Sequence, residues 1–168
     1  RISKVEPLAV VPGKRTTLTF SGSGLDSVSN LWTSFPSESK RVANTNSGRV
    51  SFSVLCPPVA SGVQAVQLIG TDGASEFKLI LMDQLRTIEA NENRSVEKAA
   101  KIESPIAVDS ALKSEQVDYY KFSAKAGQSY SIEVIAHRIG SQMDPVVRVL
   151  SKNGDELAFC DDEGGVWK

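Results

Sequence analysis

The stretch Gly62–Asp83, "GVQAVQLIGTDGASEFKLILMD", decides the fold. It reads as two strands rich in Val, Ile and Leu, joined at Thr71-Asp72-Gly73, where Gly73 is free to take positive φ. Upstream, Arg49–Pro58, "RVSFSVLCPP", alternates in the same way, with Val50, Phe52, Val54 and Cys56 on one face and Ser51 and Ser53 on the other. Thr16–Gly22, "TTLTFSG", places Leu18 and Phe20 together. Leu31, Trp32 and Phe35 are expected to supply aromatic filling for the same interior. Gly and Pro punctuate the chain at short intervals, from Pro12-Gly13 to Gly73. Short alternating runs between turn residues predict an antiparallel β-sandwich.

Across residues 85–103 the pattern lapses. "LRTIEANENRSVEKAAKI", Leu85–Ile102, holds no Gly or Pro, is rich in Glu, Asn and Lys, and does not alternate, so it reads as a linker with one helical turn near Ser95–Ala100. Strands resume with "PIAVDSAL" (105–112), "VDYYKFSA" (117–124) and "SYSIEVIAH" (129–137), in which Tyr130, Ile132, Val134 and Ala136 share a face. Tyr120, Phe122, Tyr130, Ile132 and Val134 are the expected second core. "PVVRVLS" and "ELAFC" flank Asn153-Gly154, a strong hairpin signal. No 3.6-residue periodicity runs beyond two turns. The expected architecture is therefore all-β with two sandwiches: residues 1–84, a linker at 85–103, and residues 104–168.

Composition excludes several functions. The net charge of −1 offers no field for nucleic acid or an anionic membrane. The charge is unevenly spread, nine bases and six acids over residues 1–86 against ten bases and fourteen acids over 87–168, as two units with different surfaces would have it. No apolar run approaches the roughly 20 residues of a membrane-spanning helix. Arg1 opens the chain without Met or signal peptide, as a mature form or an excised piece would. Cys56 shares the core parity of its strand and reads as a buried free thiol, with a disulfide to Cys160 as the alternative. The only histidine, His137, takes the solvent-facing parity, so no Ser/His/Asp or Cys/His arrangement is available. Phosphate loops, dinucleotide fingerprints and zinc spacings are absent.

The remaining chemistry lies in the acids of Gly140–Gly165: Asp144, Asp155, Glu156, Asp161, Asp162 and Glu163, with Arg148 and Lys152 as the only bases. Neighbouring residues Asp161 and Asp162 would point to opposite faces of a strand, so a pair facing across a cleft as in glycosidic cleavage is disfavoured. Two readings stay open. One is turn capping and solvated edges. The other is a weak calcium site, in which Asp161, Asp162, Glu163 and nearby carbonyls supply part of the six to eight oxygens that calcium takes.

Residues from about 87 onward resemble the bacterial pre-peptidase C-terminal domain family. The shared pattern is the "EANEN" lead-in, Asp118, Tyr120 and Phe122, then Ala126-Gly127-Gln128, Gly140-Ser141, Asp144-Pro145, Asn153-Gly154 and Asp161-Asp162. Residues 1–84, with "VEPLAVVPGKRTTLTFSGSGL" (Val5–Leu25), resemble an Ig-like domain of the IPT/TIG type. The family normally adds strands beyond the Asp-Asp, whereas this chain stops at Val166-Trp167-Lys168, so the second, jelly-roll-like sandwich is expected to be incomplete or completed by a partner. The resemblance implies a secreted or cell-surface bacterial module that is not an enzyme and needs no cofactor, calcium aside. Its role would be to tether or present a neighbouring module, or to contact a protein or polysaccharide at the cell surface. Accessory domains of a secreted peptidase or other hydrolase, and a calcium-dependent adhesion module, are the alternatives.

Overall fold

The computed structural model describes residues 1–42, 48–89 and 92–161. Among them regular structure is strand throughout, apart from one 3-10 turn at His137–Ile139. The fold is all-β. By internal packing the chain divides into two compact units, Arg1–Ser123 and Ala124–Lys168.

The first unit holds a sandwich. One sheet contains β1 (Ile2–Glu6), β3 (Arg15–Gly22), β6 (Arg49–Leu55) and β5 (Glu38–Val42), in the order β1-β3-β6-β5 and antiparallel throughout. The other runs β2-β9-β7-β4, from β2 (Ala9–Val10), β9 (Lys78–Met82), β7 (Gly62–Gly70) and β4 (Val28–Thr33), with β8 (Gly73–Ala74) folded back on β7. The β7–β8 hairpin is the turn read from Thr71-Asp72-Gly73, and Gly73 takes φ +111° there.

Alternation explains the interior. Leu18 pairs with Phe52 and Phe20 with Val50, all four at or near zero exposure, and the two rings meet edge-on with centroids 6.4 Å apart. The opposite sheet supplies Val66, Leu68, Ile80, Met82 and Leu31. Burying each such side chain contributes about 1.5–3 kcal/mol. Cys56 is buried, as its parity required, and both cysteines are free. Ser51 departs from expectation: it is buried, and its hydroxyl hydrogen-bonds that of Thr19, its cross-strand partner, at 2.9 Å. Two glycines mark close backbone approaches. A Cβ on Gly22 would lie 2.1 Å from the carbonyl oxygen of Arg1, and one on Gly70 2.7 Å from that of Ser27. Both sit beside register shifts, in the β1–β3 and β4–β7 pairs respectively.

The stretch 85–103 carries structure of its own. Its β10 (Thr87–Glu89) and β11 (Ala100–Lys101) pair forward, in parallel, with β12 (Ala107–Asp109) and β13 (Tyr120–Lys121). Where the sequence predicts a helical turn, at Ser95–Ala100, the chain makes two successive i→i+3 turns, Lys98 N–H donating to the Ser95 carbonyl and Ala99 N–H to that of Val96, and enters β11 at Ala100 without forming a helix. These pairings join the stretch to the chain that follows it, and the division between compact units falls later, after Ser123.

In the second unit the described residues contain one hairpin, β14 (Val147–Leu150) with β15 (Glu156–Cys160), around the Asn153-Gly154 turn. Ser151 organises the turn: its hydroxyl accepts from the N–H groups of Asn153 and Asp155 and bonds the Asp155 carboxylate. The expected second core is not assembled here. Tyr130, Ile132 and Val134 are 37%, 42% and 41% exposed, while Tyr120 and Phe122, in the first unit, are half-buried. The 129–135 segment alternates correctly but pairs with no strand among the described residues. A single hairpin offers too little surface to cover it.

Candidate functional site

The acidic stretch was the sequence's foremost candidate. Asp161 follows β15 and is exposed. Asp162 and Glu163, the other two residues of the possible calcium site, lie outside the described residues. Among the described residues no three His, Cys, Asp or Glu side chains gather as a metal site. Asp155 is held by the Ser151 turn, and Glu156 lies 3.8 Å from Arg148, whose guanidinium also sits over the Phe159 ring at 5.3 Å. Turn chemistry and surface pairing account for these groups. His137 is exposed, as read.

The most organised polar cluster lies elsewhere. The Asp118 carboxylate is 5% exposed and accepts from three donors: the Arg94 guanidinium, the Ser110 hydroxyl and the Tyr120 hydroxyl, the last at 3.1 Å. Burial pushes the Tyr120 phenol above its ordinary value; Ser110 and Asn93 oppose that shift and the Asp118 charge reinforces it. Asn93 is buried beside this cluster, donating its amide N–H to the Tyr119 carbonyl at 3.0 Å and accepting the Tyr119 N–H on its own carbonyl at 2.8 Å. Its Oδ1 meets no donor among the described residues. Sequence reading marked Asp118 and Tyr120 as pattern positions without a role. The structure shows a carboxylate that is 5% exposed and engaged by three of the protein's own donors, which ties residues 93–94, 110 and 118–120 together.

A cleft of about 340 Å³ lies between the β2 edge of the sandwich and the β10–β12 pair. Its floor is apolar, from Ala9, Val10, Val11 and Ile88, and its rim holds Lys14, Arg86, Glu89 and Asp109. Asp109 is already engaged, accepting the Leu8 N–H at 3.4 Å.

Within the sandwich, Trp32 departs from the expected packing. Leu31 and Phe35 enter the core, but Trp32 is 42% exposed. Adjacent residues on a strand point to opposite faces, so Leu31 and Trp32 cannot both face inward; that parity was the available signal. Outside, Trp32 meets Phe77, itself 57% exposed, with ring centroids 5.6 Å apart and planes inclined at 61°. Along the same outer face the register sets Gln67 opposite Trp32, then Ala65 opposite Leu79, and Val63 opposite Leu81, which pairs in turn with Ala9. These positions alternate with the buried Val66, Leu68, Ile80 and Met82. The outer surface of this sheet is thus an apolar band ending in two exposed aromatic rings. The charges adjoining Phe77 in sequence, Glu76 and Lys78, pair with each other at 3.5 Å.

No family model matches the chain, and no curated protein does. Among solved structures it is similar to a Bacteroides ovatus mixed-linkage glucan utilization locus protein, SGBP-B, in complex with a mixed-linkage heptasaccharide. Identity is 19% over 56% of this chain and 25% of that chain, with a TM-score of 0.40. A likeness of that size carries no function across. No helix among the described residues is long and apolar enough to cross a membrane.

Proposed function

We propose that this chain is a non-catalytic binding module of a secreted or surface-exposed bacterial protein, and that it makes contact through the outer face of the sheet bearing Trp32 and Phe77. The exposed aromatic pair carries the reading. Two large rings left in water at the end of an apolar band are costly unless something covers them, and such patches mark interaction sites. The Asp118 carboxylate is compatible with a non-catalytic role, since its side chain is 5% exposed and engaged by three donors of the protein itself. Tethering or presenting a neighbouring module is compatible with this face, which lies on the opposite side of its sheet from the core.

Adsorption to isolated bacterial cell envelopes tests the proposal. The full chain is expected to be retained after washing, while a Trp32→Ala/Phe77→Ala double variant with an unchanged circular dichroism spectrum elutes. Equal retention of the two proteins would show that this face is not the contact.

A further inference from the structure

We infer that the ligand of this face is a neutral polysaccharide, taken up as single soluble chains and not as a crystalline surface. This rests on the proposed contact face and specifies what it binds. The first observation is charge. No outward position in the band (Ala9, Val63, Ala65, Gln67, Leu79, Leu81) is ionisable, and Glu76 and Lys78 at its end neutralise each other. At the Trp32–Phe77 end an anionic polymer would find no unpaired cation to replace its counterions; Lys14 and Arg86 lie at the opposite end, beside Ala9, on a cleft rim they share with Glu89 and Asp109.

The second observation is the polar equipment beside the rings. Asn30 lies two residues before Trp32 on β4, is exposed, and its amide makes no hydrogen bond to any described residue. Gln67, opposite Trp32, donates its amide N–H to the Ser75 carbonyl at 2.6 Å, which fixes the side chain and leaves its carbonyl oxygen to accept. Sugar rings present a C–H face to an aromatic ring and hydroxyls at their edge. A ring face flanked by one free amide and one oriented carbonyl matches both features.

The third observation is the angle. Ring planes inclined at 61° form a corner. Two rings in one plane would lie flat on successive sugars of a crystal surface. A corner holds one sugar against one ring and meets the next at an angle, which a twisted or flexible chain in solution can satisfy.

The test titrates the full chain with soluble neutral polysaccharides (a β-glucan, a xylan and a dextran), with an anionic polygalacturonate, and with crystalline cellulose. It reads tryptophan emission and depletion from solution. At least one soluble neutral chain is expected to bind and shift the emission. Trp32→Ala should weaken binding by about tenfold or more, and Trp32→Phe, which keeps a ring, by less. Circular dichroism of each variant confirms that it is folded. Comparable binding to crystalline cellulose would overturn the single-chain assignment, and preference for polygalacturonate would overturn the neutral one. Suppose no polysaccharide binds while envelope retention persists and is abolished by protease but not by periodate. The ligand class then fails and the contact face stands. Loss of envelope retention as well would sink both.

Discussion

Replacing Asp118 by Ala tests whether residues 93–120 are held by one buried carboxylate. The side chain accepts from Arg94, Ser110 and Tyr120 and is 5% exposed. Deleting one partner of a fully buried ion pair costs about 3–5 kcal/mol, because an uncompensated charge stays behind in a dry site. That figure is too large here, since the Arg94 side chain is 40% exposed and, once released, is solvated. With the pair itself reduced to about 1 kcal/mol or less, the two hydroxyl bonds to a charged acceptor remain, of which the half-buried Tyr120 bond is the larger. The expected loss is about 2–4 kcal/mol for Asp118→Ala, and about 1–2 kcal/mol for Asp118→Asn, which keeps the shape and one acceptor. Arg94→Ala should cost under about 1.5 kcal/mol, and the double-mutant cycle should return a coupling near 1 kcal/mol. Urea unfolding followed by circular dichroism gives all four free energies. A loss below about 0.5 kcal/mol for Asp118→Ala, well under the loss expected for a buried charge-assisted bond, would mean the cluster is incidental.

The sandwich should respond far more strongly to Phe20→Ala, by about 3–5 kcal/mol in the same melts, because Phe20 is wholly buried against Phe52; Trp32→Ala, on the outside, should change stability by less than about 1 kcal/mol. Gly22→Ala should destabilise by about 1–3 kcal/mol or more, since the new methyl would strike the Arg1 carbonyl and neither backbone can yield cheaply. Burial raises the Tyr120 phenol, so its contribution to stability is fully present below the unfolded tyrosine value near 10 and is lost as pH climbs through the higher folded value. The latest-titrating component of the phenolate absorbance should vanish in Tyr120→Phe, and its persistence would assign it elsewhere. Calorimetric melts with and without a chelator should coincide if the acids after β15 serve as solvated turn groups; a large drop on chelation would establish a calcium site instead.

The residue pattern by itself determined the all-β class, the two-strand reading of Gly62–Asp83, the inward parity of Leu18, Phe20, Phe52 and Cys56, and the Asn153-Gly154 hairpin. Each is a local property, fixed by alternation of period two or by a turn that needs positive φ, and each needs only neighbours in sequence. Parity also holds the position of Trp32: next to the inward Leu31 on one strand it faces outward, whatever its size. Only tertiary structure decided the rest. Alternation says that Tyr130, Ile132 and Val134 share a face, but whether that face is covered depends on strands far away in the chain, and none among the described residues covers it. Nothing local distinguishes Asp118 from the acids of Gly140–Gly165; the distinction is made by Arg94, Ser110 and Tyr120 arriving from three separate segments. A buried carboxylate and a solvated one differ in their donors and their access to water, and both are supplied by the fold.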